Sequence, residues 1–228
     1  QLRTWGGGIG DDPRLAREMG RQRCDAGVIS YPDAQRIRLR NTETTLQEAL
    51  RAKAGLLRGQ TPPPRLDFTR QWNDWLDLYL DNGITFLMLK DTRTGQWWAD
   101  AVTGRTCDVT EPYERWPEDW RAAYVDYYAQ VQEYLSERGF LTAYPHWTDE
   151  PSYTAIQKAY LPRAKAYCAA GLGPGSNWTT PGWMAPEHVN SFAPWTRDFG
   201  MYQYGYPNLQ RFLREGSVKL PPNSQVGF

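Results

Sequence analysis

The sequence predicts an α/β protein built as a single (β/α)8-type TIM barrel domain over residues 1–228, either incomplete or minimal. Helical and strand patterns alternate along the chain, which is typical of a parallel sheet covered by helices, and about six βα units can be read. Aromatic and polar residues gather where the predicted strands end, the face on which such barrels carry their sites. A doubly wound open sheet is the alternative, although no phosphate-binding fingerprint supports it.

The N-terminal segment predicts a glycine-rich loop, a capped helix and then a strand. Residues 2–5 lean apolar, and the glycine run at residues 6–10 lacks the Lys-Ser/Thr pair of a P-loop and fits GxGxxG poorly. We expect that run to be a loop that approaches a ligand or a neighbouring strand. Asp12 and Pro13 are typical of a helix N-cap and first position, and residues 28–31 then indicate a strand.

The central part of the chain contains the clearest patterns. Apolar residues at helical spacing predict helices over residues 45–57 and from Asp67 to residues 82–83. Six consecutive apolar residues at 84–89 predict a strand buried on both faces. Residues 92–117 show neither pattern but contain Trp97, Trp98 and Trp116, so we expect a long irregular loop with a functional role.

Helical spacing returns over residues 118–138 and stops at Gly139, after which residues 140–147 indicate the next strand. A further helix is predicted over residues 152–170, in which Pro162 should introduce a kink or a break. The remaining patterns predict short strands at residues 172–178 and 189–195, a helix at 207–216 and a last strand or tail at 218–228.

Charge and hydropathy exclude several classes of partner. The chain carries 26 basic and 26 acidic side chains, so nothing in its net charge favours binding to nucleic acid or to an anionic membrane. No apolar run reaches the roughly 18 residues that a membrane span needs. No signal peptide is visible, and the chain begins at Gln1, which leaves room for an upstream segment that was removed or left out.

Neither a metal nor a cofactor is expected. Cys24, Cys107 and Cys168 are far apart without CxxC spacing, and His146 and His188 have no nearby ligand companion. Eleven Trp and fourteen Tyr against seven Phe are the unusual feature of the composition. Their rings combine a flat apolar face with a polar edge, which suits stacking on sugar rings, although core packing explains many such residues equally well.

The segment Thr148-Asp149-Glu150-Pro151 places two adjacent carboxylates where a predicted strand gives way to a predicted helix. Paired carboxylates in this setting suit sugar chemistry. The same residues also suit a helix start, with an acidic cap and a proline in the first turn. The pattern alone leaves both interpretations open.

Several blocks of the sequence resemble the barrel of glycoside hydrolase family 123 and the related DUF4091 glycosidase-like domains, over roughly residues 66–215. The matching blocks are residues 67–69 before an aromatic helix, residues 82–84 before an apolar strand, residues 134–140, residues 148–151 and, more loosely, residues 189–195. The Asp-Glu-Pro block is the most specific of them. Members of that family usually carry a β-sandwich before the barrel and further strands after it, so flanking domains or subunits are expected to be missing here.

The resemblance implies substrate-assisted, retaining hydrolysis of N-acetylhexosaminides, in which the nucleophile belongs to the substrate. Glu150 would protonate the leaving oxygen and later activate water. Asp149 would orient the 2-acetamido group as it attacks the anomeric carbon. These roles need one carboxyl group with a raised pKa beside one that stays ionised, and adjacent like charges separate their protonation in this way.

Other residues at predicted strand ends are candidates for substrate binding: Asp91, His146, Trp147, Asn177, Trp178, Trp195 and Tyr204. Each has an ordinary alternative. His146 is better explained as a satisfied core histidine, Asp91 also suits an ion pair with Lys90, and Asn177 with Trp178 also suits a turn or the core.

The sequence therefore predicts a glycoside hydrolase, secreted or periplasmic, that acts on a carbohydrate containing N-acetylhexosamine. The first alternative is a non-catalytic carbohydrate-binding or structural protein built on the same barrel. The second is a barrel hydrolase that uses the carboxylate pair without substrate assistance.

Overall fold

The computed structural model describes residues 5–8, 12–24, 26–30, 32–51, 57, 65–90, 93–146, 153–172, 175–177, 187, 190, 198–200, 206–219 and 225–227. The chain divides into two compact units. The N-terminal unit comprises Gly6–Asp108 and Glu114–Ala143, and the C-terminal unit comprises Tyr144–Phe228 with Gln1–Trp5 and Val109–Tyr113. The prediction of one domain over residues 1–228 stays a prediction, and the two units are described separately.

The helices and strands up to the end of the N-terminal unit are, in chain order, β1 (Trp5–Gly8), α1 (Pro13–Arg21), β2 (Ala26–Ser30), β3 (Arg38–Leu39), α2 (Leu46–Arg51), β4 (Leu66–Asp67), α3 (Thr69–Asp81), β5 (Phe86–Lys90), α4 (Thr94–Thr103), α5 (Glu118–Arg138) and β6 (Thr142–His146). A short 3-10 turn, Tyr113–Arg115, precedes α5.

Four of these strands form a sheet in the order β1-β2-β5-β6, and β3 pairs with β4 in a small antiparallel ladder. β2 and β5 run parallel with Ala26 opposite Phe86 and Ser30 opposite Lys90. Because parallel neighbours need a crossover, α2 and α3 lie between them along the chain. The α/β class predicted from the sequence is therefore correct.

β5 is the buried strand that its apolar run predicts, with every residue from Phe86 to Leu89 buried and Lys90 exposed. α3 packs against β2, since the Tyr79 hydroxyl donates a hydrogen bond to the Val28 carbonyl oxygen at 3.1 Å. A Cβ at Gly27 would lie 2.5 Å from Cε1 of Tyr79, so this contact requires glycine in β2.

The predicted C-terminal end of α3 is confirmed, whereas its N-cap is Phe68 and not the predicted Asp67. Asp67 accepts hydrogen bonds from the backbone N–H of Thr69 at 2.9 Å and from its hydroxyl at 2.6 Å, which fixes the first turn although the N-cap is Phe68. The helix stops at Asn82, followed by Gly83 with a φ of +78°, a left-handed conformation that favours glycine.

The start of α1 is also confirmed, and the glycine run is corrected. Asp12 accepts a hydrogen bond from the backbone N–H of Arg14 at 2.8 Å, with Pro13 in the first turn. Residues 6–8, predicted as a loop, are instead part of β1 at the edge of the sheet. Glycine has a weak intrinsic preference for strands, so pairing with β2 rather than local propensity explains this strand.

The predicted irregular loop over residues 92–117 is wrong, because it contains α4. Two of its three tryptophans belong to the core: Trp98 has no exposed surface and Trp116 is 2% exposed. The helix has Gly, Thr and Val among its ten residues and no side-chain cap, so its sequence carries little helical signal. Its packing against α5 supplies the stability that propensity does not.

Two reciprocal hydrogen bonds hold α4 against α5. Trp98 of α4 donates its indole N–H to Asp126 Oδ2 at 3.1 Å, and Trp120 of α5 donates its indole N–H to Asp100 Oδ1 at 2.8 Å. The Trp120 ring also stacks on Tyr124, with centroids 5.2 Å apart. Trp98 and Trp120 therefore each find a carboxylate acceptor on the opposite helix.

Gly95 on α4 leaves no room for a side chain, and Gly95→Ala is expected to destabilise the protein by about 1–3 kcal/mol. A Cβ there would lie 2.6 Å from Cε2 of Tyr128, a buried ring held edge-on by Tyr124 and Tyr127. In an unconstrained helix the same change stabilises by roughly 0.5–1 kcal/mol. Urea unfolding measures the free energy of unfolding.

The control for this change is Ala122→Gly at an exposed position of α5, where only helix propensity operates. It should cost about 1 kcal/mol, in line with the usual preference for alanine. A gain in stability for Gly95→Ala would show that the Tyr128 ring moves aside, contrary to the packing described.

The described elements that follow in the C-terminal unit are α6 (Tyr153–Ala155), a π-helical segment (Ile156–Tyr160), α7 (Leu161–Ala169), β7 (Gly175–Asn177), β8 (Asp198–Gly200), α8 (Tyr206–Arg214) and β9 (Gln225–Gly227). The three strands form a parallel sheet in the order β7-β8-β9. Within the predicted strand at 189–195, Asn190 is helical, and its side chain donates to the Ser217 carbonyl oxygen at 2.7 Å.

The predicted break at Pro162 is confirmed, and it takes the form of the π-helical segment. The backbone N–H of Leu161 donates to the Ile156 carbonyl oxygen, five residues earlier. Pro162 has no N–H and its ring would clash with the carbonyl of residue 158 in an α-helix. The wider π turn therefore accommodates Pro162 in the first turn of α7.

No helix within the described ranges is long and apolar enough to cross a membrane.

Candidate functional site

The predicted catalytic residues, Asp149 and Glu150, lie outside the described residues. The elements on either side of them are described: β6 ends at His146 and α6 begins at Tyr153. Along the chain, the pair stands between these two elements. Their roles stay predictions.

The predicted substrate-binding residues divide into two groups. His146 and Asn177 are the last residues of β6 and β7, within strands that the sequence predicts, and their roles in substrate binding stay predictions. Outside the described residues lie the other five: Asp91, Trp147, Trp178, Trp195 and Tyr204.

The carboxyl ends of β2 and β5 are the strand ends that the structure describes most fully. Ser30 and Lys90 are register partners at this edge, and both are exposed. Thr94, the first residue of α4, donates its hydroxyl to the Pro32 carbonyl oxygen at 3.1 Å, which joins the chain beyond β2 to the helix that follows β5. Carboxyl edges of parallel sheets are the usual place for ligands in α/β proteins.

Two features of this edge lie in the segment that the sequence predicted as a functional irregular loop. Arg93 is exposed and adopts a left-handed φ of +63° directly before α4. Trp97 in the first turn of α4 is 43% exposed, whereas the adjacent Trp98 is fully buried. The sequence does not distinguish the two tryptophans, because the face of α4 that packs against α5 decides which of them reaches solvent.

The carboxylates of the α4–α5 interface serve packing. Burial is the main cause that raises the pKa of Asp100, and hydrogen bonds from the Trp120 indole and the Cys107 backbone act against it. Asp126 accepts a second bond from the Gln130 amide at 2.8 Å. Gln130 in turn accepts from the backbone N–H of Leu66 at 2.8 Å, so this buried network ties β4 to α5.

Thr45 and Glu48 form a capping box at the start of α2. The Thr45 backbone N–H donates to Glu48 Oε2 at 2.8 Å, and the Glu48 backbone N–H donates to the Thr45 hydroxyl oxygen at 3.1 Å. The backbone bond, followed by the hydroxyl, lowers the pKa of Glu48.

The pKa shifts of Asp100 and Glu48 predict opposite dependences of stability on pH. The raised pKa of Asp100 means that the folded state holds a proton which the unfolded state has released, so its contribution falls as the pH rises from 3.8 through the folded-state pKa. The lowered pKa of Glu48 means that its contribution falls as the pH drops below 4.5.

Urea unfolding of wild type, Asp100→Asn and Glu48→Gln at a series of pH values between about 3 and 6 measures both effects. The wild-type advantage over Asp100→Asn should shrink with rising pH, and the advantage over Glu48→Gln should grow. Parallel curves for the two variants would contradict the assigned environments.

Among the residues that the structure describes, no group of three or more His, Cys, Asp or Glu side chains could hold a metal ion. Cys24 is buried, and burial raises the pKa of the Cys168 thiol.

Comparison with known proteins gives little beyond these observations. No protein-family model matches the chain, and no curated protein matches it. A solved structure to which it is similar is the HpcH/HpaI aldolase from Desulfitobacterium hafniense DCB-2, with 10% identity over 94% of this chain and 91% of that chain and a TM-score of 0.27.

Proposed function

We propose that this chain is a retaining glycoside hydrolase that acts on glycans containing N-acetylhexosamine. The observation that supports it most directly is the position of Asp149 and Glu150 between the end of β6 and the start of α6. In parallel α/β folds, such strand-to-helix connections carry catalytic groups. The resemblance of the Asp-Glu-Pro block to family 123 glycosidases supplies the reaction.

A barrel of parallel strands is the proposed scaffold. Within the described residues, the strands of each sheet stand in chain order, β1-β2-β5-β6 and β7-β8-β9. A (β/α) barrel adds each new strand beside the previous one, whereas a doubly wound sheet reverses direction at a switch point. The strand order therefore favours the barrel over the doubly wound alternative.

In the proposed reaction, the carbonyl oxygen of the substrate's 2-acetamido group attacks the anomeric carbon while the glycosidic C–O bond breaks. Glu150 gives its proton to the leaving oxygen, and Asp149 accepts a hydrogen bond from the acetamido N–H. Water then adds to the anomeric carbon, Glu150 takes its proton, and the acetamido group is restored. Two displacements at one carbon give net retention.

The test compares 4-nitrophenyl β-N-acetylgalactosaminide and β-N-acetylglucosaminide with 4-nitrophenyl β-galactoside, which lacks the acetamido group. We expect release of 4-nitrophenol from at least one N-acetylated substrate and none above background from the galactoside. Proton NMR of the first product should show the β-anomer. Equal hydrolysis of the galactoside would instead indicate conventional use of the carboxylate pair.

The alternative of a non-catalytic carbohydrate-binding protein makes a different prediction in the same experiment. Saturable binding of N-acetylated sugars without release of 4-nitrophenol would support it and would reject the hydrolase.

A further inference from the structure

Trp97 differs from the other exposed apolar side chains of the described residues. The large ones are Leu15, Trp97, Leu141 and Leu213, and Trp97 is the one aromatic side chain among them. Single exposed leucines are ordinary on a protein surface. Trp97 is 43% exposed, and leaving an indole exposed costs more free energy than leaving a leucine exposed, because the apolar surface of the indole is larger.

The position of Trp97 is fixed by α4. Its backbone N–H donates to the Arg93 carbonyl oxygen at 3.1 Å, which places it in the first helical turn. The hydrogen bond from Thr94 to Pro32 holds the same turn beside the chain that leaves β2. The first turn of α4 therefore lies at the carboxyl edge of the β2–β5 pair.

The buried face of α4 keeps the Trp97 ring outside. Thr94, Gly95, Trp98, Ala99 and Ala101 are buried, with Trp98 bonded to α5. Trp97 projects from a different side of the helix. Its ring is exposed because the neighbouring residues of α4 occupy the buried face. The ring is also built on a helix rather than on a loop, which gives a ligand a rigid surface.

Polar groups accompany the ring at the same edge. Ser30 and Lys90 end β2 and β5 as exposed register partners, and Arg93 precedes the helix. Hydroxyl, ammonium and guanidinium groups all donate hydrogen bonds, and the hydroxyl and carbonyl oxygens of a sugar accept them.

We propose that Trp97 is the platform of a carbohydrate-binding surface on the N-terminal unit, on which a pyranose ring stacks while Ser30, Lys90 and Arg93 bind its oxygens. The choice of a sugar over another flat ligand rests on the proposed function. The indole offers a flat apolar face to the C–H face of a pyranose, and the strand-end groups are donors of the kind that sugar oxygens accept.

The test uses protein labelled with 5-fluorotryptophan and two probes, N,N′-diacetylchitobiose and methyl β-N-acetylgalactosaminide. Trp97→Phe identifies the Trp97 fluorine resonance. We expect that resonance to shift in a saturable way with at least one probe. Trp97→Ala should weaken binding about tenfold, and Trp97→Phe, which keeps a ring, should weaken it less.

The matched control is Leu141→Ala, because Leu141 is 72% exposed but precedes β6, at the opposite end of a strand. It should leave the dissociation constant unchanged. An unperturbed Trp97 resonance at saturating probe, equal affinity of wild type and Trp97→Ala, or no binding of either probe would overturn the inference.

The outcomes separate this inference from the hydrolase. Binding that depends on Trp97 without any turnover supports the surface and rejects the hydrolase. Turnover without any shift of the Trp97 fluorine resonance supports the hydrolase and rejects the surface.

Discussion

Glu150→Gln is expected to lower kcat for aryl β-N-acetylhexosaminides by roughly 10²- to 10⁴-fold, the usual contribution of a general acid–base. Glutamine keeps the shape of the side chain and one acceptor oxygen but has no proton to give to the leaving group. The dissociation constant of the substrate should therefore change little. Steady-state assays with a parallel binding titration measure the two quantities.

The dependence on the leaving group sharpens this experiment. A 2,4-dinitrophenolate needs less protonation than a 4-methylumbelliferone anion, so the loss should be smaller with the dinitrophenyl substrate if Glu150 is the acid. Glu187→Gln is the matched control, because Glu187 is an exposed carboxylate further along the same unit. It should behave as wild type.

Full activity of Glu150→Gln, or an equal loss for both leaving groups, would reject the acid–base role. In the first case the helix-capping interpretation of the Asp-Glu-Pro segment would be the better one.

Trp98→Ala is expected to cost about 3–5 kcal/mol of the free energy of unfolding, the range for removing a fully buried large aromatic side chain. Trp98 has no exposed surface, and its indole donates to Asp126. Truncation leaves a cavity between α4 and α5 and removes a donor from a half-buried carboxylate, so two separate costs add.

The next residue provides the control. Trp97→Ala removes the same chemical group from the same helix, but at a position that is 43% exposed, and it should cost clearly less, about 1–2 kcal/mol of the free energy of unfolding. Urea unfolding with unchanged m-values makes the two comparable. Similar costs for the two variants would contradict the placement of α4 on α5.

The elements that the sequence predicts well are those whose signals are local. α5 has the predicted bounds, Glu118–Arg138, because apolar spacing over 21 residues and a terminal Gly139 both lie within the segment. β5 is similarly evident from its continuous apolar run. α3 adds the Asp67 side chain at one end and Gly83 at the other.

The elements that the sequence fails to predict depend on distant partners. α4 is stabilised by Tyr128, Asp126 and Trp120, each of which stands at least twenty residues further along the chain than the α4 residue that it contacts. The glycines of β1 have no side chains to show a pattern, and β2 determines their strand. Pro162, in contrast, acts on its own helix, and its effect was predictable.

The candidate site follows the same division. The end of β6 near His146 was predictable to within a residue because the predicted strand over residues 140–147 stops there, whereas β7 is Gly-Ser-Asn and has no apolar run to mark its end. The difference between Trp97 and Trp98 was not predictable, since it depends on which face of α4 meets α5.

The π-helical segment Ile156–Tyr160 gives this chain one residue more than an uninterrupted α-helix of the same number of turns would have. An extra residue rotates everything after it by about 100° around the helix axis. Consider a related sequence that lacks Pro162 and forms a regular α-helix here. To keep the residues that correspond to Ala164 and Tyr167 facing inward, its helix would need one residue fewer before them. In an alignment, a single-residue gap near residues 156–161 would therefore mark a conserved buried face and not a lost one.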